Sequence, residues 1–385
     1  MSQTHTLITR AREIAAQVAP RGAEIEALRR IPPDISKTLG EAGFYRMFVG
    51  EQVGGLEVSP GIAAQVVEAV AQGDAACGWV SFIAATSGLA LARLTDDAAR
   101  QLLARPDSLI TGVFAANGRA TKVDGGFRVT GRWDWGSGSP NADWIGGGCV
   151  ILQDGKPLTN SAGIPRNHML FFPAADVVSL DTWHVSGLCG TGSIAWEVRD
   201  VFVPEHLAAG YQVPRTPDRP LFRFPGFSPL AQGVGAVALG IARASLTEAV
   251  RVVSEKRRGG STAPLAERPH VQLEVAKAEA RLRAARAFFY ETIDAAWDAA
   301  HSGDLVPLHH SRDMRLAVNH AMAESIALVD AMYALAGGAA VYGSSPLQRQ
   351  FRDIHVASQH FMVSPNILET AGRLFLGLPT VTAGF

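Results

Sequence analysis

The segment FRDIHVASQH, from Phe351 to His360, places two imidazoles near the end of a chain of 385 residues. His355 and His360 stand five residues apart, just after the pair Arg352-Asp353. An imidazole exchanges protons near neutral pH, donates hydrogen bonds and binds metals. A metal site is the weakest option, because no cluster of Cys, Asp or Glu accompanies the pair. Acid–base chemistry, hydrogen bonding and a purely structural role stay open, so the rest of the chain must decide.

The bulk composition excludes several classes of protein. Hydrophobic residues make up 47% and charged residues 18% of the chain, and the net charge is −1. No basic field is present to attract nucleic acid or an anionic membrane. The start of the chain lacks the apolar core of a signal peptide, and no run of 18 apolar residues occurs. The three cysteines are few and far apart, which indicates reduced thiols and a cytoplasmic protein.

Three regions must position the histidines, and their patterns differ. Residues 1–107 show apolar residues at helical spacing and predict an N-terminal helical domain. Residues 108–213 alternate in hydrophobicity around turns such as Asp124-Gly125-Gly126, which predicts a β domain. Residues 214–385 contain long Ala-rich patterns that predict a four-helix bundle over about 228–257, 266–301, 310–340 and 365–376. The sequence therefore predicts a mainly α protein with a central β domain.

This order of regions, together with four motifs, resembles the acyl-CoA dehydrogenase superfamily over nearly the whole chain. The motifs are LGEAGFYRMFVGEQVGG, GRWDWGSGSPNADW, SGLCGTGS followed by VRDVFVPEH, and ALAGGAAVYGSSPLQRQFRD. Each is weak alone, but they occur in the family's order and at its distances. The resemblance implies the acyl-CoA dehydrogenase-like fold, with a β-barrel middle domain and a C-terminal bundle. It also implies a homotetramer, for which the very apolar bundle helices supply the buried contacts.

The resemblance further implies a flavin held between the β domain and the bundle. Trp135 would form an apolar wall for the isoalloxazine ring, and Ser137 with Gly138 would lie near its N5 atom. Backbone amides could approach the pyrophosphate at a turn of small residues. These residues are Gly190, Thr191, Gly192 and Ser193. Core packing and an ordinary hairpin are the alternative interpretations. Further contacts would come from a basic residue of 256–258, with Arg257 as the choice, and from the Gly337-Gly338 pair. Cys189 stands where the family often has Arg.

Two branches of the superfamily differ in their catalytic groups. An acyl-CoA dehydrogenase needs a carboxylate base to abstract an α-proton. No Glu or Asp occurs between Ile354 and Ile367, or from Leu221 to Ser245, and Glu369 lies too far along. The oxygenase components of two-component flavin monooxygenases do show this pattern, among them p-hydroxyphenylacetate hydroxylase, dibenzothiophene monooxygenase and indole oxygenases. They carry a His beyond the Arg-Asp pair, where His360 stands here.

The resemblance to this branch implies an enzyme that hydroxylates a small aromatic substrate through a C4a-hydroperoxyflavin. Reduced FAD or FMN, with FAD favoured, would come from a separate NAD(P)H-dependent flavin reductase, and O2 would be the co-substrate. His360 and Ser137 would be the catalytic residues, with His360 as a base or a hydrogen-bond donor. Trp79, His355 and Phe361 would line the substrate pocket. The alternatives are an acyl-CoA dehydrogenase and a flavin-binding scaffold without turnover.

Overall fold

A computed structural model describes residues 3–161, 163–210, 219–257 and 262–382. The first hundred residues are helical, as the sequence predicts. Their helices are α1 (Gln3–Val18), α2 (Gly22–Leu28), α3 (Pro33–Glu41), α4 (Pro60–Gly73), α5 (Ala75–Gly88) and α6 (Asp96–Leu102). The Thr95 side chain caps α6, since it accepts a hydrogen bond from the Ala98 amide at the start of that helix.

The middle region forms one eight-stranded sheet. The strands are β1 (Ile110–Val123), β2 (Gly126–Gly136), β3 (Trp144–Gln153), β4 (Lys156–Pro157), β5 (Asn167–Pro173), β6 (Val178–Leu180), β7 (Ile194–Pro204) and β8 (Ala208–Gly210). The hydrogen-bonded order is β6-β7-β2-β1-β3-β5-β8, with β4 on β3. The predicted turn at Gly125 is confirmed as the β1–β2 hairpin, where Gly125 has a φ of 72°.

The sheet is rolled rather than flat. Strands β7 and β5 are four positions apart in the sheet, which would separate them by roughly 19 Å if it were flat. Yet the rings of Phe172 on β5 and Trp196 on β7 lie 6.1 Å apart. Trp133 on β2 stacks on Trp196 at 4.3 Å, and both indoles are fully buried. The rolled sheet therefore encloses an aromatic core, as a barrel-like middle domain requires.

The last region is a helical bundle with one full helix more than the sequence predicts. Its helices are α7 (Pro220–Arg223), α8 (Ser228–Glu255), α9 (Pro269–His301), α10 (Leu308–Ala336), α11 (Pro346–Ala357) and α12 (Pro365–Phe375). The additional helix is α11, which packs on α8 and α10 and buries Leu347, Ile354 and Ala357. Its apolar residues fall on one helical face. The Arg-Asp motif therefore lies on a helix, and His355 with it.

The N-terminal helices and the bundle share one core, and small residues make the contact close. A Cβ on Gly240 of α8 would lie 2.6 Å from the carbonyl oxygen of Glu68 on α4. The stretch Ala75–Arg93 is long and apolar enough to cross a membrane, but 83% of its most apolar window is buried inside the protein. It is therefore explained as a core helix. The predicted domain limits at 107/108 and 213/214 stay predictions, and the second lies outside the described residues.

Candidate active site

The end of β2 carries a bulge that turns one tryptophan outward. Trp133 pairs with Trp196 and Gly136 with Ile194, so two residues of β2 face one residue of β7. Trp135 takes up the irregularity with a φ of 60°, and its side chain is 77% exposed while Trp133 is fully buried. Simple alternation would have placed both indoles on the same face. The bulge therefore presents the Trp135 indole as an exposed apolar wall.

A chain of hydroxyl groups begins at Ser137, two residues after this tryptophan. Ser137 Oγ is 2.7 Å from Ser193 Oγ, which is 2.7 Å from Thr191 Oγ1. Thr191 Oγ1 donates to the Leu188 carbonyl at 2.8 Å. The indole N–H of Trp79, on α5, donates to Ser137 Oγ at 3.1 Å. Three residues from the β domain and one from the N-terminal helices thus meet at Ser137.

His360 completes the cluster from the bundle side. It follows the end of α11, and its ring lies 5.6 Å from the Trp79 ring in an edge-to-face arrangement. The Met362 amide donates to His360 Nδ1 at 3.3 Å. A neutral imidazole that accepts at one nitrogen carries its proton on the other. His360 therefore offers an Nε2–H donor, and Trp79 connects it to Ser137.

The protonation state of His360 is set by its surroundings. Burial, and next the charge of Arg315, lower the pKa of His360 from 6.5 to about 4. Arg315 on α10 is fully buried, and burial lowers the pKa of its guanidinium to about 10. Arg315 Nη1 contacts the sulfur of Met362 at 2.6 Å, two residues beyond His360. Burial, with a smaller contribution from the charge of Arg315, keeps the ring neutral at pH 7.

The Arg-Asp motif has a structural role that the sequence alone did not reveal. Asp353 is buried, and its carboxylate accepts the Leu188 N–H at 2.6 Å. Burial raises the pKa of Asp353 to about 7. Arg352 pairs with Glu26 and donates to the Ser186 carbonyl at 2.6 Å. The motif thus holds the turn that carries Thr191, and α11 is the element that positions it.

Of the residues predicted for the substrate pocket, His355 and Phe361 lie in different places relative to His360. His355 Nε2 is 3.0 Å from Asp330 Oδ1 on α10, with both side chains about two-fifths exposed. Its ring also packs on Phe351 at 4.6 Å. Phe361 is 61% exposed and touches the His360 ring at 4.8 Å. The structure therefore places Trp79 and Phe361 beside His360, whereas His355 is hydrogen-bonded to Asp330 on the bundle surface.

The glycines predicted to contact the cofactor fall into two environments. A Cβ on Gly190 would lie 2.2 Å from a methyl carbon of Ile25, so this turn packs tightly on α2. Gly337 has a φ of 55°, and a Cβ there would have only Lys256 Nζ within 4 Å, while a Cβ on Gly338 would have no neighbour among the described residues. Lys256 donates to the Ala336 carbonyl at 2.9 Å. This end of the bundle is open and cationic.

Arg257 and Gly138 complete the predicted cofactor residues. Arg257 is exposed and donates from Nε to the Thr262 carbonyl at 2.8 Å. Arg258 lies outside the described residues. Gly138 has a φ of 79°, and a Cβ there would lie 3.0 Å from Thr111. The Thr111 hydroxyl is buried without a partner in the described part of the chain. Thr111 was missed by sequence analysis, because a lone threonine at the start of a strand carries no signal.

Arg315 was also missed, although the sequence did hold a signal. Ser311, Arg315, Val318 and Met322 recur at helical spacing, and all four are buried on α10. An arginine inside an apolar stripe marks a buried cation with a specific task. The described residues hold no group of three or more His, Cys, Asp or Glu side chains that could bind a metal ion.

A small cavity lies behind the cluster. It is formed by α4, α5 and α8, has room for about one water molecule, and is bordered by Phe82 and Gln232. Phe82 packs on Trp79 with ring centroids 5.0 Å apart. Gln232 Nε2 points at the sulfur of Met314 at 3.0 Å. The cavity is too small for an aromatic ring.

These residues fit a flavin. Trp135 offers an exposed apolar wall, Ser137 a hydroxyl beside it, and Gly337-Gly338 with Lys256 an open cationic end for phosphate groups. A carboxylate base is missing from both places where acyl-CoA dehydrogenases carry one. The protein thus has the helical domain, rolled sheet and bundle of acyl-CoA dehydrogenase architecture. It is a flavoprotein of this class without the carboxylate base of a dehydrogenase, and His360 lies on the bundle side of its site.

Comparison with known proteins agrees. Residues 2–105 match the acyl-CoA dehydrogenase N-terminal domain and residues 232–365 the C-terminal domain. An indole-3-acetate monooxygenase of Pseudomonas putida is 35% identical over 93% of this chain and 90% of its own length. The crystal structure of 3-HSA hydroxylase from Rhodococcus sp. RHA1 superposes with a TM-score of 0.89 at 26% identity, over 100% of both chains. XiaF from Streptomyces sp., solved with FADH2 and glycerol, superposes with a TM-score of 0.87 at 25% identity, over 98% of this chain and 97% of its own.

The chain therefore belongs to the acyl-CoA dehydrogenase superfamily, in its branch of flavin-dependent monooxygenase oxygenase components. The predicted fold class is confirmed, and so is the preference for oxygenase over dehydrogenase chemistry.

Proposed function

We propose that this protein hydroxylates a small indole- or phenol-like substrate, with reduced flavin from a separate NAD(P)H-dependent reductase and with O2. The observation that carries the proposal is the cluster of Trp79, Ser137 and His360, which provides hydrogen-bonding groups but no carboxylate. Relatives named indole-3-acetate monooxygenase and resorcinol hydroxylase support an aromatic substrate. The name "oxygenase component" of the second supports a separate reductase. Reduced flavin, when bound, supplies the electrons that activate O2.

The protein's own residues then have distinct tasks. His360 stays neutral and donates from Nε2 to an oxygen of the substrate or of the oxidant, because its pKa of about 4 makes it a weak base at pH 7. Trp79 orients the His360 ring by its edge-to-face contact. Ser137 lies where it would accept or donate a hydrogen bond at the flavin ring. Together they hold the reacting groups in a site shielded from water.

We further propose FAD as the flavin. XiaF was solved with FADH2, and the resorcinol hydroxylase is named FADH(2)-dependent. Trp135, Ser137 and Gly138 would hold the ring, with the turn from Gly190 to Ser193 beneath it. Lys256 or Arg257 and the Gly337-Gly338 pair would meet the phosphates from a neighbouring subunit, because these groups lie exposed at one end of the bundle.

Oxygen incorporation tests the proposed function directly. The protein is incubated with pre-reduced FAD, labelled O2 and one candidate substrate, which is indole-3-acetate, indole or a phenol. We expect a hydroxylated product of that substrate that carries one labelled oxygen, as detected by mass spectrometry. A protein that binds FAD but yields no labelled product from any of these would contradict the proposal. Bleaching of bound FAD by butyryl-CoA would instead show a dehydrogenase, and no flavin binding would show a scaffold. Heat-denatured protein is the control for uncatalysed oxidation.

We propose a homotetramer as the working form. Large apolar side chains are exposed on the bundle and its C-terminal segment, and burying them against other subunits would stabilise the protein. These side chains are Leu305, Val341, Tyr342, Leu376 and Val381. Light scattering at micromolar concentration should give about four times the mass of 40.8 kDa. A monomer under these conditions would argue against it. All three cysteines are free, which supports a further proposal that the protein works in the cytoplasm.

A further inference from the structure

The hydroxyl chain that begins at Ser137 has a direction that can be worked out by counting protons. A carbonyl oxygen only accepts, so Thr191 must donate its single hydroxyl proton to Leu188. Ser193 therefore has to donate to Thr191, at 2.7 Å. Its own proton is then committed, so Ser137 has to donate to Ser193, also at 2.7 Å.

The other end of the chain is fixed as well. An indole N–H only donates, so Trp79 donates to Ser137 Oγ. Ser137 thus receives one hydrogen bond from Trp79 and gives its only proton to Ser193. The Ser137 oxygen therefore has one lone pair left, with which it can accept a further hydrogen bond. Ser137, Thr191 and Ser193 are at most 7% exposed, so water does not readily reorganise these bonds.

We infer that Thr191 and Ser193 fix the Ser137 hydroxyl as a hydrogen-bond acceptor, so that the site selects the reduced flavin. This inference rests on the proposed function, which places the flavin ring beside Ser137. Reduced isoalloxazine carries a hydrogen on N5 and is a donor there. Oxidised isoalloxazine has a bare N5 and is an acceptor. An acceptor facing N5 therefore stabilises the reduced form and leaves the oxidised form unpaired.

The anchor of the chain is also well defined. Leu188 has a left-handed φ of 50°, and its N–H is held by the buried Asp353. The Thr191 amide donates to the same Leu188 carbonyl at 3.0 Å. The carbonyl that ends the chain is therefore fixed by contacts from α11 and from within the turn. Thr191 and Ser193 are positioning residues, because they act on the flavin only through Ser137.

Thr191→Val tests the direction of the chain, because it removes the hydroxyl and keeps the shape. Ser193 then loses its acceptor and turns its proton towards Ser137, whose proton becomes free to face N5. The measurement is the dissociation constant of oxidised FAD and, without oxygen, of reduced FAD. We expect the wild type to bind reduced FAD roughly tenfold more tightly than oxidised FAD, the effect of one hydrogen bond. Thr191→Val and Ser193→Ala should lose most of this preference.

Thr191→Ser is the matched control, because it restores the hydroxyl and should restore the preference. If Thr191→Val keeps the wild-type ratio, or weakens both forms by the same factor, the inference is wrong. The same holds if Ser193→Ala, used should Thr191→Val not fold, keeps the ratio. These outcomes leave the proposed function standing, whereas a wild type that binds neither form of FAD would remove the proposed function itself.

Discussion

His360→Ala should lower product formation by roughly 100-fold or more, the effect of losing a general acid–base or donor group in the transition state. The ring stands at the meeting point of the bundle and the N-terminal helices, 5.6 Å from Trp79. Flavin affinity should change far less, because the ring-binding residues lie mainly in the β domain. Initial rates with saturating reduced FAD, together with titration of FAD, would measure both effects. A variant that turns over substrate normally would contradict the role of His360.

His360→Asn separates a donor from a base. Its side-chain amide offers an N–H but is not a base, so it should recover part of the activity lost in His360→Ala if the imidazole donates a hydrogen bond. No recovery would favour a base. His355→Ala is the matched control, because His355 pairs with Asp330 and is partly exposed. Its effect on turnover should be the smaller of the two.

The pH profile follows from the same environment. Burial and Arg315 lower the pKa of His360 to about 4, so the imidazole stays neutral as the pH falls from 7 and is protonated only near pH 4. Any loss of activity from its protonation should therefore appear near pH 4 rather than near 6.5. An acid limb near 6.5 that disappears in His360→Asn would show that the bound substrate has raised this pKa.

Ser137→Ala should increase uncoupling, in which O2 is consumed and hydrogen peroxide released without product. The variant removes the hydroxyl that lies two residues after Trp135, and it leaves Trp79 and Ser193 without this partner. Losing such a hydrogen bond costs roughly 1–3 kcal/mol, or about 5- to 150-fold in the competition between product and peroxide. The ratio of peroxide to product per flavin oxidised is the measurement.

Ser139→Ala is the matched control for this experiment. Ser139 is also buried and lies two residues further on, but its hydroxyl donates to the Gly136 carbonyl and takes no part in the chain. It should leave coupling near the wild-type value. An equal ratio of peroxide to product in Ser137→Ala and the wild type would show that Ser137 has no part in controlling the oxidant.

The sequence by itself determined the order of the regions and the class of chemistry. Hydrophobic periodicity is local, so it predicted that the first hundred residues are helical, and it predicted the long helices α8, α9 and α10. The turn residues predicted the hairpin at Gly125. The absence of a carboxylate residue from the segments after Asp353 and before Ser245 can also be read from the sequence alone. This absence favoured oxygenase over dehydrogenase chemistry, and the resemblance to the oxygenase branch then indicated His360.

Only the tertiary structure decided how the selected residues act. Trp135 is exposed because a bulge opposite β7 interrupts the alternation, and register is a relation between strands. The pKa of His360 is low because the ring is buried and because the charge of Arg315, distant in sequence, acts on it. The direction of the hydroxyl chain depends on where Leu188 and Trp79 lie relative to Ser137. Charge state and hydrogen-bond direction are set by neighbours in space, and spacing along the chain does not encode them.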